Sequence, residues 1–147
     1  MSMPRIESFP KVADFMDTRP IALGPDDDIL DAVDHLLRHG VTGAAVIDAE
    51  RRPLGVIGER DCLKVLTQHE GWVLSHGRVR DYMRSEYQQL SPEMDIFYVA
   101  GLFLNERNWS SRRFLVVEDD QLVGVLTRFD VLRAVELVRQ RRREMES

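Results

Sequence analysis

The chain has a single cysteine, Cys62, so no intrachain disulfide and no cysteine-based metal cage can form, which is the usage expected in a reducing cytoplasm. Long hydrophobic runs are also missing. The longest, Ile96 to Leu104, covers nine residues, and a helix needs about 20 to span a bilayer. Met1 to Lys11 lacks the apolar stretch of a signal peptide, so no membrane segment and no export are expected. Basic charge is in the minority, with 20 Lys and Arg against 25 Asp and Glu and a net charge of −5. A field of that sign repels polyanions, so general nucleic-acid binding is disfavoured. No spacing matches a Walker loop, a catalytic triad or a zinc site, and no enzymatic activity is expected. What the 147 residues do contain is 44% hydrophobic and 31% charged side chains, enough apolar mass for a packed core.

The chain repeats itself. Val12-Ala13-Asp14-Phe15-Met16 returns 67 positions on as Val79-Arg80-Asp81-Tyr82-Met83, and Leu23-Gly24-Pro25 through Ile29 returns as Leu90-Ser91-Pro92 through Ile96. Val46-Ile47-Asp48 and Leu54-Gly55-Val56-Ile57 are matched by Val116-Val117-Glu118 and Val123-Gly124-Val125-Leu126. Each copy reads as strand, helix, strand, tight turn, strand, helix, with hairpins closing at Ala49 to Pro53 and Asp119 to Gln121. The expected class is α/β (α+β): two tandem β-α-β-β-α repeats, residues 11–70 and 78–140, packed as one module. Pro25 and Pro92 are expected at the first helical position. In the first helix Ile29, Leu30, Val33, Leu36 and Leu37 form one apolar stripe.

Each last strand ends in a glycine followed, six residues later, by an aspartate. The copies are Gly55-Val56-Ile57-Gly58-Glu59-Arg60-Asp61 and Gly124-Val125-Leu126-Thr127-Arg128-Phe129-Asp130. One reading is a capping box, with Thr127 as N-cap and Asp130 reaching back to it. The other is functional: a strand opening into a helix start offers N–H groups to a phosphate, and the carboxylate can accept hydrogen bonds from two ribose hydroxyls. The glycine would let a flat group approach the backbone. Both readings can hold at once.

These residues, in this order and twice over, resemble the CBS (cystathionine-β-synthase) domain, which normally occurs as a tandem pair. The resemblance covers residues 11 to about 140, with Leu115 standing where proline is usual. It implies a stand-alone, cytoplasmic regulatory and energy-sensing module without an obligatory cofactor. Such a module would bind an adenine nucleotide (AMP, ADP, ATP or S-adenosylmethionine) in clefts between the copies and signal occupancy to a regulated partner protein. Carried over, Asp130 would hold the ribose hydroxyls, Thr127 would lie beside ribose or phosphate, and Val125, Gln88 and Gln89 would flank the base. Arg112, Arg113 and Arg128 would pair with phosphate. The first copy carries Gly58 where the second has the threonine, so the Asp61 site is expected to be the weaker, with Thr42 and Arg60 as compensating groups. The alternative is a ligand-free scaffold that docks a protein or nucleic acid through Arg139, Arg141, Arg142 and Arg143.

Other candidates have plainer readings. His35 and His39 are spaced to share a metal but lack a third ligand, and Asp26, Asp27 and Asp28 suit the first turn of a helix. Cys62 reads as a buried structural thiol. Ile96 to Leu104 is apolar on every face, more than one sheet can cover, and this predicts a homodimer.

Overall fold

The computed structural model describes residues 9–74, 77–105 and 113–146. The chain forms an α/β fold of two compact units, each built on a three-stranded sheet. One unit holds residues 20–87 and 119–122, and the other holds 1–19, 88–118 and 123–147.

In the unit around residues 20–87, β1 (Ala22–Leu23) runs parallel to β2 (Gly43–Ile47), which pairs antiparallel with β3 (Pro53–Gly58). Helix α1 (Ile29–His39) connects the parallel pair, the crossover such a pair requires. Its N-cap is Asp28, whose carboxylate accepts the Leu30 N–H at 2.7 Å. Asp95 caps α4 (Ile96–Leu104) in the other unit in the same way, accepting from Phe97. Pro25 and Pro92 therefore stand in the turn before each helix, not at its first position. The cause is local: a strong aspartate N-cap one residue before Ile29 or Ile96 fixes the helix start there. On α1 the buried face is Ile29, Ala32 and Leu36, while Leu37 is exposed, so the stripe is narrower than its hydrophobicity pattern suggests. Short α2 (Glu59–Leu63) follows β3, a 3-10 turn covers Lys64–Thr67, and β4 (His69–Glu70) and β5 (Val73–Leu74) make a small hairpin. The sequence signals only a connector there.

In the other three-stranded sheet, β6 (Gln89–Leu90) runs parallel to β7 (Arg113–Glu118), with β8 (Gln121–Thr127), whose first two residues count with the 20–87 unit, on the other side of β7. Asp119 and Asp120 have φ of 53° and 62°, the backbone of a two-residue type I′ turn between antiparallel strands. Leu115 donates its N–H to the Gln88 carbonyl at 3.1 Å, a ladder bond that proline could not make. The core gathers Leu90, Ile96, Val99, Phe103, Phe114, Val116 and Leu126, with Phe103 and Phe114 stacked 3.9 Å apart. Helix α5 (Arg128–Glu146) follows β8 directly.

The compact units cut across the sequence repeats. The lead-in segment of the first repeat, Val12 to Asp17, packs into the second unit: the Val12 N–H donates to Met94 O, Ala13 to Pro92 O, and Asp17 and Val125 exchange both backbone bonds. The lead-in of the second repeat, which includes α3 (Val79–Tyr82), does the same in the first unit. There Val79 donates to Asp27 O, Arg80 to Pro25 O, and Arg84 and Val56 exchange bonds at 2.8 and 2.9 Å. Val12 and Phe15 belong to one core, Val79 and Tyr82 to the other. Asp26 fastens the second junction by pairing with both Arg78 and Arg80. The Arg80 hydrogen bond holds its carboxyl below the usual carboxylate range, against a smaller opposing effect of desolvation. That contribution is present above the unfolded value near pH 4 and fades as pH falls through the lower folded one.

Candidate functional site

Among the described residues only two charged side chains are buried, and they are the two motif aspartates: Asp61 is 4% exposed and Asp130 is 9% exposed. Burying a carboxylate is costly unless it is hydrogen-bonded. Each sits three residues beyond the end of a strand, in the first turn of the helix that follows.

Asp130 is held on both oxygens. Its Oδ2 accepts the Thr127 N–H at 2.8 Å and the Thr127 hydroxyl at 3.0 Å, and its Oδ1 accepts Arg133 Nη2 at 2.8 Å. The same Nη2 donates to the Phe15 carbonyl at 2.8 Å, so Arg133, whose side chain is half-exposed, is held by two short bonds. The reciprocal capping geometry is therefore present, completed by the Asp130 N–H on Thr127 Oγ1 at 3.3 Å.

Asp61 is bonded differently. Its Oδ2 accepts the Gly58 N–H at 2.8 Å and Arg84 Nε at 3.3 Å, while its Oδ1 accepts nothing from the described residues. The groups expected to compensate for Gly58 do not reach it. The Thr42 carbonyl instead accepts the Glu59 N–H at 2.8 Å, and Arg60 is exposed with no polar partner among the described residues. Arg84 is the residue that sequence reasoning missed. Its partner lies 23 positions away and no local spacing links them.

The motif glycines serve a purpose other than the one expected. A Cβ on Gly124 would stand 2.7 Å from Met16 Sδ and 2.9 Å from the Asp17 carbonyl, and one on Gly55 would collide with the Arg84 carbonyl. They make room for the lead-in segments, so close approach is by the chain itself. A Cβ on Gly58, by contrast, meets nothing closer than 3.7 Å.

Of the remaining expected residues, Val125 is buried and fixed to Asp17. Gln88 and Gln89 lie at the opposite edge of the sheet, with β7 between, about 10 Å from Val125 by strand spacing. Arg128 is an exposed first residue of α5, Arg113 opens β7 half-buried, and Arg112 lies outside the described residues. Cys62 is half-buried, and burial, then the neighbouring Asp61, pushes its thiol pKa up, which opposes nucleophilic reactivity. The His35 and His39 rings lie 4.5 Å apart, with His39 Nδ1 engaged to the His35 carbonyl, and no group of three metal-ligating side chains occurs among the described residues. No helix among them is long and apolar enough to cross a membrane.

Two β-α-β-β-α copies, each ending in a buried strand-to-helix aspartate, are accounted for by one family. The CBS domain profile matches residues 12–68 and 79–137, and the chain belongs to the CBS domain family. Among solved structures it is similar to the CBS-pair protein CBSX2 from Arabidopsis thaliana, at 27% identity and TM-score 0.75 over 90% of this chain and 99% of that one; CBSX2 is also known in complex with AMP. The CBS domain pair of protein MJ0100, crystallised with 5′-methylthioadenosine and S-adenosyl-L-methionine, shares the fold at TM-score 0.72 and 20% identity over 87% of this chain and 97% of that one. By sequence the chain is 28% identical over 125 residues to an A-adding tRNA nucleotidyltransferase of Aquifex aeolicus, matching 85% of this chain. It spans 14% of that protein and 33% of each of the next two curated relatives.

Proposed function

We propose that the chain is a cytoplasmic regulatory module that binds adenine nucleotides at Asp61 and Asp130 and passes occupancy to a partner protein without covalent chemistry. The observation that carries this reading is the burial of those two carboxylates and of no other charged side chain among the described residues. Similarity to CBSX2, known with AMP, supports the ligand class. The mechanism is linkage: a ligand that prefers one conformation shifts its population by the difference in affinity. A thermal-shift panel of AMP, ADP, ATP and S-adenosylmethionine is the test. A ligand at 100 times its dissociation constant adds about 2.7 kcal/mol, or roughly 5 to 10 °C for a chain of this size. Absence of any shift, confirmed by calorimetry, would favour the ligand-free scaffold. Against the scaffold's basic docking helix, Arg139 and Arg142 pair with Glu136 and Glu146 on α5 itself.

A homodimer is part of the same proposal. On α4, Ile96, Val99 and Phe103 face the core, leaving Tyr98 (62% exposed) and Leu104 (82%) uncovered and Phe97 half-exposed with its ring edge-on to Phe9. Phe129, Leu132 and Val135 on α5, which packs against α4, are also exposed. Soluble monomers rarely leave such patches open. Light scattering coupled to size exclusion at tens of micromolar is expected to give a mass near twice 17.0 kDa; a monomer with and without nucleotide would refute the dimer.

A further inference from the structure

We propose that Arg84 is the specificity-determining residue of the Asp61 site, binding the phosphate of an adenosine ligand so that this site takes nucleotides in preference to the bare nucleoside. The inference rests on the nucleotide reading above. Arg84 and Asp17 occupy equivalent places: each lies just after the methionine of a lead-in segment and exchanges both backbone bonds with the valine after the motif glycine, Val56 or Val125. Identical backbone pairing thus delivers a cation to one unit and an anion to the other.

The first unit is built to accept that cation. Arg84 Nη2 lies 3.8 Å from where a Gly58 Cβ would be. The missing side chain thus leaves the guanidinium beside the carboxylate at the position where Thr127 stands in the other unit. Of the five guanidinium N–H donors, only the Nε hydrogen is engaged, at 3.3 Å, and the Nη groups have no partner among the described residues. That single contact is 3.3 Å long, against two of 2.8 Å for Arg133, and being partly solvated it costs little to loosen. Asp61 Oδ1 likewise carries no donor from the described residues, whereas Asp130 Oδ1 is occupied by Arg133, which the Phe15 carbonyl also holds at 2.8 Å. An open carboxylate oxygen for a diol and an open guanidinium fork for a phosphate therefore adjoin each other at Asp61. Guanidinium and phosphate match bidentately.

Isothermal titration calorimetry of the 147-residue chain with AMP and adenosine tests this, with Asp130→Ala silencing the other site. In that background AMP is expected to bind about tenfold or more tighter than adenosine, the scale of one charge-assisted contact. Arg84→Gln should remove most of that preference while leaving adenosine affinity within about twofold, and Arg84→Lys should restore part of it. An unchanged AMP affinity in Arg84→Gln, or equal losses for AMP and adenosine, would overturn the proposal, since the second result means that Arg84 only orders Asp61. If the parent chain binds AMP but Asp130→Ala does not, this inference fails and the nucleotide reading stands for the Asp130 site alone. If the parent binds neither ligand, both fall.

Discussion

Asp130→Ala is expected to weaken nucleotide binding at its own site by about a hundredfold, the loss of two hydrogen bonds from ribose to a charged acceptor, while destabilising the fold by only about 1 to 2 kcal/mol. The two effects separate because different partners are lost. In the structure the carboxylate satisfies Thr127 and one Nη group of Arg133. Thr127 is half-exposed and Arg133 keeps the Phe15 carbonyl, so water and that carbonyl can take over much of what is lost. A bound ribose would have no such substitute. Titration calorimetry and thermal melting on the same preparation decide the matter: a variant that melts lower yet binds as tightly as the parent shows that Asp130 is a helix cap and nothing more.

Gly55→Ala is expected to cost about 3 kcal/mol or more and to lower the melting temperature by roughly 10 °C. The added carbon would enter the backbone carbonyl of Arg84, which cannot swing aside without breaking its paired bonds to Val56. Gly101→Ala is the control. It lies in α4 with nothing within 4 Å of the new carbon, so replacing glycine in a helix should be neutral or stabilise by up to about 1 kcal/mol. Equal melting temperatures for the two variants would refute the close packing of the lead-in against β3.

Much of this architecture is legible in the residues. The duplicated Val-x-Asp-aromatic-Met signature, the two hairpins and the apolar run that forms α4 follow from turn chemistry and hydrophobic patterning, because these are local properties. The helix starts lie after the prolines, not at them, because Pro-x-x-Asp contains two start signals and the aspartate side chain, which bonds Leu30 or Phe97, is the stronger. The glycine of each motif was legible as a position of close approach, but the sequence could not say that the approaching group is the Arg84 or Asp17 backbone. Arg84 itself was invisible for the same reason. Its significance arises only when a segment from one repeat is laid beside a strand of the other, and no periodicity reports that pairing. The asymmetry between Gly58 and Thr127 was visible, whereas the residue that answers it was not.

The crossing of the lead-in segments also orders events as the chain is made. Val12 and Phe15 belong to a core whose other members include Leu90, Ile96, Phe114 and Leu126, so on the ribosome they emerge long before anything they can pack against. The unit around residues 20–87 can gather nearly all of its parts first, including the borrowed Val79 and Tyr82. The Val12 to Asp17 segment, made before nearly all of its core partners, is then among the last to dock, after β8 has left the tunnel. Contacts of such sequence separation slow folding and prolong the exposure of apolar side chains. A nascent chain arrested before Leu126 should therefore present Val12 and Phe15 to proteases and chaperones, while residues 20–87 are already protected.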